Sequence, residues 1–238
     1  MTEKVVGILG GMGPEATIDF FTRIVKGTKV KKDQDHLRIL IDNNPKVPNR
    51  TLAIQGKGPS PLPELIQSAK GLEKSGADFI AIPCVTAHHF HGPLQKRVKI
   101  PVLHIVEETM RYIQARFKGS HKIGLLATTG TIQSGLFQKA FSLSKIELIL
   151  PNPELQKNKV MEAVFGTGGI KAIGPSEKSK HLILVASHEL IRQGAQAILA
   201  GCTEIPLVLR DGDLPVPVID PVAILARVAI EKAQGRSK

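Results

Sequence analysis

Short runs of apolar, often β-branched residues alternate along the chain with longer stretches whose apolar positions recur at three- and four-residue spacing. That alternation predicts an α/β fold, with mainly parallel strands covered by helices. Strands are expected at residues 5–9, 37–41, 79–82, 102–105, 123–127, 147–150, 197–200 and 216–219. Pro14 follows a glycine turn and suits the first turn of a helix, where its missing N–H is not needed. Pro63 and Glu64, followed by Leu65, Ile66, Ala69 and Leu72, repeat that start before Gly76. Residues 55–63, with three prolines and two glycines, read as a surface loop.

The pattern also repeats itself. Val5-Val6-Gly7-Ile8-Leu9 is echoed by Lys122-Ile123-Gly124-Leu125-Leu126, and Gly76-Ala77-Asp78-Phe79-Ile80-Ala81-Ile82-Pro83-Cys84 by Gly194-Ala195-Gln196-Ala197-Ile198-Leu199-Ala200-Gly201-Cys202. Gly7 stands 77 positions before Cys84 and Gly124 stands 78 before Cys202. Each cysteine is followed by a proline-led apolar segment, Pro101-Val102-Leu103-His104 and Pro217-Val218-Ile219-Asp220. Two related α/β lobes are therefore expected, an N-terminal one over residues 1–115 and a C-terminal one over 116–217, with 218–238 packing back on the first.

A free cysteine is most often a small buried apolar residue. Two at equivalent positions, each with a threonine nearby in Cys84-Val85-Thr86 and Cys202-Thr203-Glu204, point instead to shared chemistry. Both fall just after an apolar strand, and open α/β sheets bind ligands at the carboxyl ends of their strands. Taking a proton from a carbon beside a carboxylate and returning one to the opposite face needs two acid/base groups. A thiol serves if a helix N-terminus or a cation lowers its pKa towards working pH. Racemisation or epimerisation without a carbonyl cofactor is the reaction this symmetry suggests.

Composition narrows the setting. The 238 residues carry 32 basic and 21 acidic side chains, a net charge of +11, with 42% hydrophobic and 22% charged residues, ordinary values for a globular chain. The basic runs at Lys29-Val30-Lys31-Lys32, Lys96-Arg97-Val98-Lys99 and Lys178-Ser179-Lys180 are short, and 4% aromatic residues with no tryptophan supply little for base stacking. No nucleic-acid partner is expected. Two isolated cysteines, the absence of a signal-peptide pattern and the absence of a membrane-length apolar run predict a reduced, cytoplasmic chain without a membrane partner.

Taken together, Gly7-Ile8-Leu9-Gly10-Gly11-Met12-Gly13-Pro14-Glu15-Ala16-Thr17, Asp42-Asn43-Asn44-Pro45, Pro48-Asn49-Arg50-Thr51, Pro83-Cys84-Val85-Thr86-Ala87-His88, Gly124-Leu125-Leu126-Ala127-Thr128-Thr129-Gly130-Thr131 and Gly201-Cys202-Thr203-Glu204-Ile205-Pro206 resemble the aspartate/glutamate racemase family, nearest its aspartate racemases. Ile219-Asp220-Pro221 extends the match towards the C-terminus. The resemblance implies two α/β lobes with the active site in the cleft between them, a homodimer, no cofactor, and interconversion of L- and D-aspartate by proton transfer between Cys84 and Cys202. Its alternatives are a racemase of broader amino-acid range and a non-catalytic relative that binds an acidic ligand. It further implies that Arg50 and Lys171 hold substrate carboxylate, that Val85, Thr86, Ala87, Thr203 and Glu204 cradle the α-carboxylate and amine, and that Met12 lies at the rim. One position departs: Val85 stands where the family usually has asparagine, so an amide contact is lost.

Two other motifs are weaker. Gly11-Met12-Gly13-Pro14-Glu15-Ala16 fits a dinucleotide fingerprint, but the first acidic residue ending the next strand is Asp42, 31 positions on rather than about 20. Cys84, His88, His89 and His91 lack the second ligand pair of a zinc site, so no metal is expected. His88 is read as part of the family loop and His89 and His91 as exposed or supporting groups. His104 and Asp220, equivalent in the repeat, are candidates for tuning the thiols.

Overall fold

A computed structural model describes residues 3–117, 121–142 and 144–235. Residues 1–2 of the expected N-terminal lobe, 118–120 and 143 of the expected C-terminal lobe and 236–238 of the expected returning segment lie outside them. The chain forms two compact units, one of Met1–Thr109 with Val222–Lys238 and one of Met110–Pro221.

In the first unit β1 (Val6–Gly10) lies between β2 (Ile39–Asn43) and β3 (Phe79–Ala81), all parallel. β1 is buried along its whole length, which is why its sequence is continuously apolar rather than alternating. The helix Pro14–Gly27 begins at its proline and buries Ala16, Thr17, Phe20 and Ile24 on one stripe. The helix Leu62–Lys74 buries Leu65, Ser68, Ala69 and Leu72. It starts one residue before Pro63, with Pro61 as its cap, so the expected loop is slightly shorter than its composition suggested.

In the second unit β4 (His121–Leu126) lies between β5 (Ile146–Ile149) and β6 (Ala197–Ala200), and β7 (Val218–Ile219) extends the sheet beyond β6. Every pairing is again parallel. The helix Glu177–Arg192 is closed at its start by a capping box between Ser176 and Ser179 and buries Leu182, Ile183, Ala186, Ser187 and Leu190.

The repeat read from the sequence is a structural one. Gly7 pairs with Ile80 in β3, and Gly124 pairs with Ile198 in β6. The Asp78 N–H donates to the Val5 carbonyl at 2.9 Å, as Gln196 does to Lys122 at 2.8 Å; each side chain also accepts the backbone N–H of Val5 or Lys122 in return. Gly76 and Gly194 both take positive φ, 94° and 96°, where the preceding helix turns into the strand. One expected strand is corrected: residues 102–105 supply only a single bridge, Val102 to Ile80, held by Pro101 and Leu103 on either side. Ile105 already opens the helix Ile105–Arg116. The equivalent β7 is little longer, because Pro215 and Pro217 have no N–H for a ladder.

Two glycines at the end of β1 lie where the backbone is crowded. A Cβ on Gly10 would lie 2.4 Å from the Thr17 side chain, and one on Gly11, whose φ is +89°, would lie 2.3 Å from the Asn44 backbone. The chain leaving β1 thus passes close to that leaving β2, and the Thr17 hydroxyl accepts the Gly11 N–H at 2.9 Å. Gly11→Ala is expected to lower unfolding free energy by more than about 2 kcal/mol through combined backbone strain and overlap, read as a fall in the urea midpoint; a change below about 0.5 kcal/mol, ordinary for a surface site, would contradict this account.

Candidate active site

Cys84 follows β3 and Cys202 follows β6, at the carboxyl ends of equivalent strands and 5% and 6% exposed. Both are free thiols. The turns after them match: the Ala87 N–H donates to the Cys84 carbonyl at 3.2 Å, and the Ile205 N–H to the Cys202 carbonyl at 3.0 Å. Short 3-10 helices follow, Thr86–Phe90 and Ile205–Leu207.

In the first unit Arg50 opens the short helix Arg50–Ile54, which Asn49 caps by accepting the Leu52 N–H. Its Nη1 donates to the carbonyls of Val47 and Pro48 at 3.1 and 3.0 Å, and its Nη2 to the Met12 carbonyl at 3.1 Å. These bonds tie the guanidinium to the glycine-rich turn after β1. Its buried Nε has no hydrogen-bond partner among the described residues. Met12, expected at a rim, is instead 2% exposed and belongs to the apolar core with Leu9, Val47 and Cys84. Val85 and Ala87 are buried too. The Ala87 N–H is occupied within its own turn, so it is not the open donor that a cradle implies.

His88 supports this turn. Its Nδ1 lies 2.9 Å from the Cys84 carbonyl oxygen and its Nε2 3.2 Å from that of Leu103, so it links the cysteine turn to the bridging segment. Both neighbours are acceptors, and a neutral ring donates to one of them. Burial, then the charges of His104 and His91, lowers its pKa to about 3. The rings of His88, His91 and His104 pack with centroids 4.6 to 5.9 Å apart, and His91 Nε2 bonds the Val102 carbonyl at 2.8 Å. Among the described residues no three His, Cys, Asp or Glu side chains meet in a way that holds a metal ion.

In the second unit the side chains converge on Glu204, which is 3% exposed. The Cys202 thiol donates to its Oε2 at 2.8 Å, the Thr203 hydroxyl donates to the same oxygen at 3.3 Å, and Lys171 Nζ forms an ion pair with its Oε1. Lys171 belongs to the short helix Ile170–Ile173, and its ammonium also lies 5.7 Å from the centre of the Phe165 ring. Burial opposes ionisation of Glu204, but the Lys171 ammonium and the thiol hydrogen bond outweigh it and hold the carboxyl below its usual range. Burial, and after it the Glu204 carboxylate, pushes the Cys202 thiol well above its usual range, with Lys171 pulling the other way. The expectation of a lowered thiol pKa is therefore corrected at Cys202: a three-residue 3-10 helix follows it, and the cation nearby is already paired to a carboxylate.

Glu204, expected as part of a cradle, is instead the hub of these contacts. Two residues with no motif of their own, Gln156 and Met161, stand at the two ends of the π-turn Gln156–Met161. Gln156 Nε2 donates to the Ala127 carbonyl at 2.9 Å, and the Thr129 N–H donates to Met161 Sδ at 3.3 Å, fixing the turn after β4. No local signal marks residues 29 and 32 positions from their partners.

With this geometry in place, comparison with known proteins identifies relatives. The family model described as Asp/Glu/Hydantoin racemase matches residues 9–229. A broad specificity amino-acid racemase, RacX of Bacillus subtilis, is 32% identical over 234 residues, 95% of this chain and 96% of that protein. The Picrophilus torridus aspartate racemase structure superposes with a TM-score of 0.84 at 27% identity, covering 97% of this chain and 94% of that one. An aspartate racemase homologue from Pyrococcus horikoshii gives 0.72, again at 27% identity, over 97% and 99%. Among the described residues no helix is long and apolar enough to cross a membrane.

The lowered pKa of His88 sets a pH dependence. Between about 3 and 6.5 the unfolded chain binds a proton there that the folded chain does not, so stability falls as pH drops through that interval and is full above it. His88→Gln is expected to flatten this slope in urea unfolding measured at successive pH values; an unchanged slope would assign the dependence elsewhere.

Proposed function

The chain belongs to the Asp/Glu/hydantoin racemase family, and from that premise we propose that it racemises an amino acid, aspartate foremost, by proton transfer between Cys84 and Cys202 without pyridoxal phosphate. The observation that carries this reading is the pair of buried free thiols at equivalent strand ends of the two repeats. One thiolate removes the α-proton and the other thiol delivers a proton to the opposite face of the planar intermediate. In the reverse direction the two exchange roles. Desolvation keeps each proton on its sulfur or on the carbon instead of losing it to water.

Arg50 supports an acidic substrate, because its buried Nε is a donor with no acceptor among the described residues, and charge-assisted bonds to carboxylate are strong. A broader amino-acid range is favoured by a separate observation: Lys171 pairs with Glu204, so that cation is already neutralised. The amide lost at Val85 weakens selection for aspartate in the same direction. These two readings differ in substrate range and share the chemistry.

The test is incubation of pyridoxal-free protein with L-aspartate and a panel of other L-amino acids in heavy water. Deuterated D-product supports two-thiol racemisation, and the panel separates the substrate ranges; saturable binding without exchange would leave a binding protein instead. Cys84→Ala and Cys202→Ala are each expected to lower racemisation in both directions by about 10²–10⁴-fold, the usual worth of a proton-transferring group. Full activity in either variant would refute its role. Val85→Asn restores an amide and is expected to raise kcat/KM for aspartate, whereas an unchanged or lower value would refute that account of the departure.

A further inference from the structure

The two repeats match at their cysteines but not two residues later. There the first repeat has Thr86, which brings no charge, and the second has Glu204. Glu204 is buried, accepts the Cys202 thiol at 2.8 Å, and is held in place by Lys171 on its other oxygen. A carboxylate at hydrogen-bond distance stabilises S–H, its donor, and repels the sulfur's negative charge. We infer that Glu204 is a positioning residue that keeps Cys202 as the protonated, proton-donating thiol of the substrate-free enzyme, leaving Cys84 to abstract the α-proton of the enantiomer that presents it there.

The catalytic consequence rests on the two-thiol reading above; the protonation itself does not. During donation the S–H bond breaks with its electron pair remaining on sulfur, and the carbanion's pair forms the new C–H bond. The Cys202 thiolate so produced lies beside Glu204 and is a strong base, ready to regain a proton. Lys171 limits the repulsion by pairing with the same carboxylate. Burial and the Glu204 carboxylate raise this thiol's pKa and Lys171 lowers it; Glu204 touches the thiol directly at 2.8 Å, whereas Lys171 is paired to the carboxylate's other oxygen. Among the described residues of its unit, these two are the charged groups that bear on Cys202.

The test uses the full chain with Cys84→Ser, so that one thiol remains, and follows thiolate ultraviolet absorbance against pH. Glu204→Gln is expected to lower the Cys202 midpoint by at least about one pH unit, the usual size of such a charge effect. Lys171→Met is expected to leave it unchanged or raise it. An unmoved midpoint in Glu204→Gln, or a comparable fall in Lys171→Met, would overturn the inference. If Glu204→Gln alone does not fold, the neutral pair Glu204→Gln with Lys171→Met replaces it, and the midpoint must still fall. In the chain with both cysteines, the alkaline decline of kcat/KM is expected to move to lower pH by the same amount for both enantiomers, because the equilibrium constant of racemisation is one. A chain that does not racemise at all would refute the two-thiol reading while leaving the titration result standing.

Discussion

Each sheet depends on a middle strand that is paired on both sides and buried. β1 is that strand in the first sheet and β4, with β6, in the second; β1 and β4 each carry a glycine at the same register, Gly7 opposite Ile80 and Gly124 opposite Ile198. A Cβ at Gly7 would lie 3.0 Å from Ala77, and one at Gly124 would lie 2.9 Å from Ile198. This close packing holds β3 and β6 against the middle strands. Their carboxyl ends then present Cys84 and Cys202 from matching turns.

On that shared frame the two repeats have acquired different surroundings. Around Cys84 the groups are apolar or neutral: Val85, Ala87 and His88, whose buried ring is a hydrogen-bonding strut. Around Cys202 there is a carboxylate with its own counter-ion. A buried ion pair contributes little net stability after its desolvation cost, and an unpaired buried charge costs far more. Lys171 is therefore coupled to Glu204 whatever else it does, and its value as a simple anchor for substrate is reduced. Arg50 differs, because backbone carbonyls fix its orientation without neutralising its charge.

Patterning along the chain is enough to read the α/β class, the repeat and its register, and the two cysteines at equivalent strand ends. These are properties of local periodicity and of spacing along one chain, which side-chain patterning records directly. Short elements were less legible: residues 102–105 have the composition of a strand, yet the chain makes one bridge and turns into a helix. The tertiary structure alone decided that Met12 is core, that His88 spans from Cys84 to Leu103, and that Glu204 and Lys171, 33 positions apart, neutralise each other beside Cys202. Charge in a buried site depends on distances of a few ångströms and on the loss of water, and neither is written in residue order.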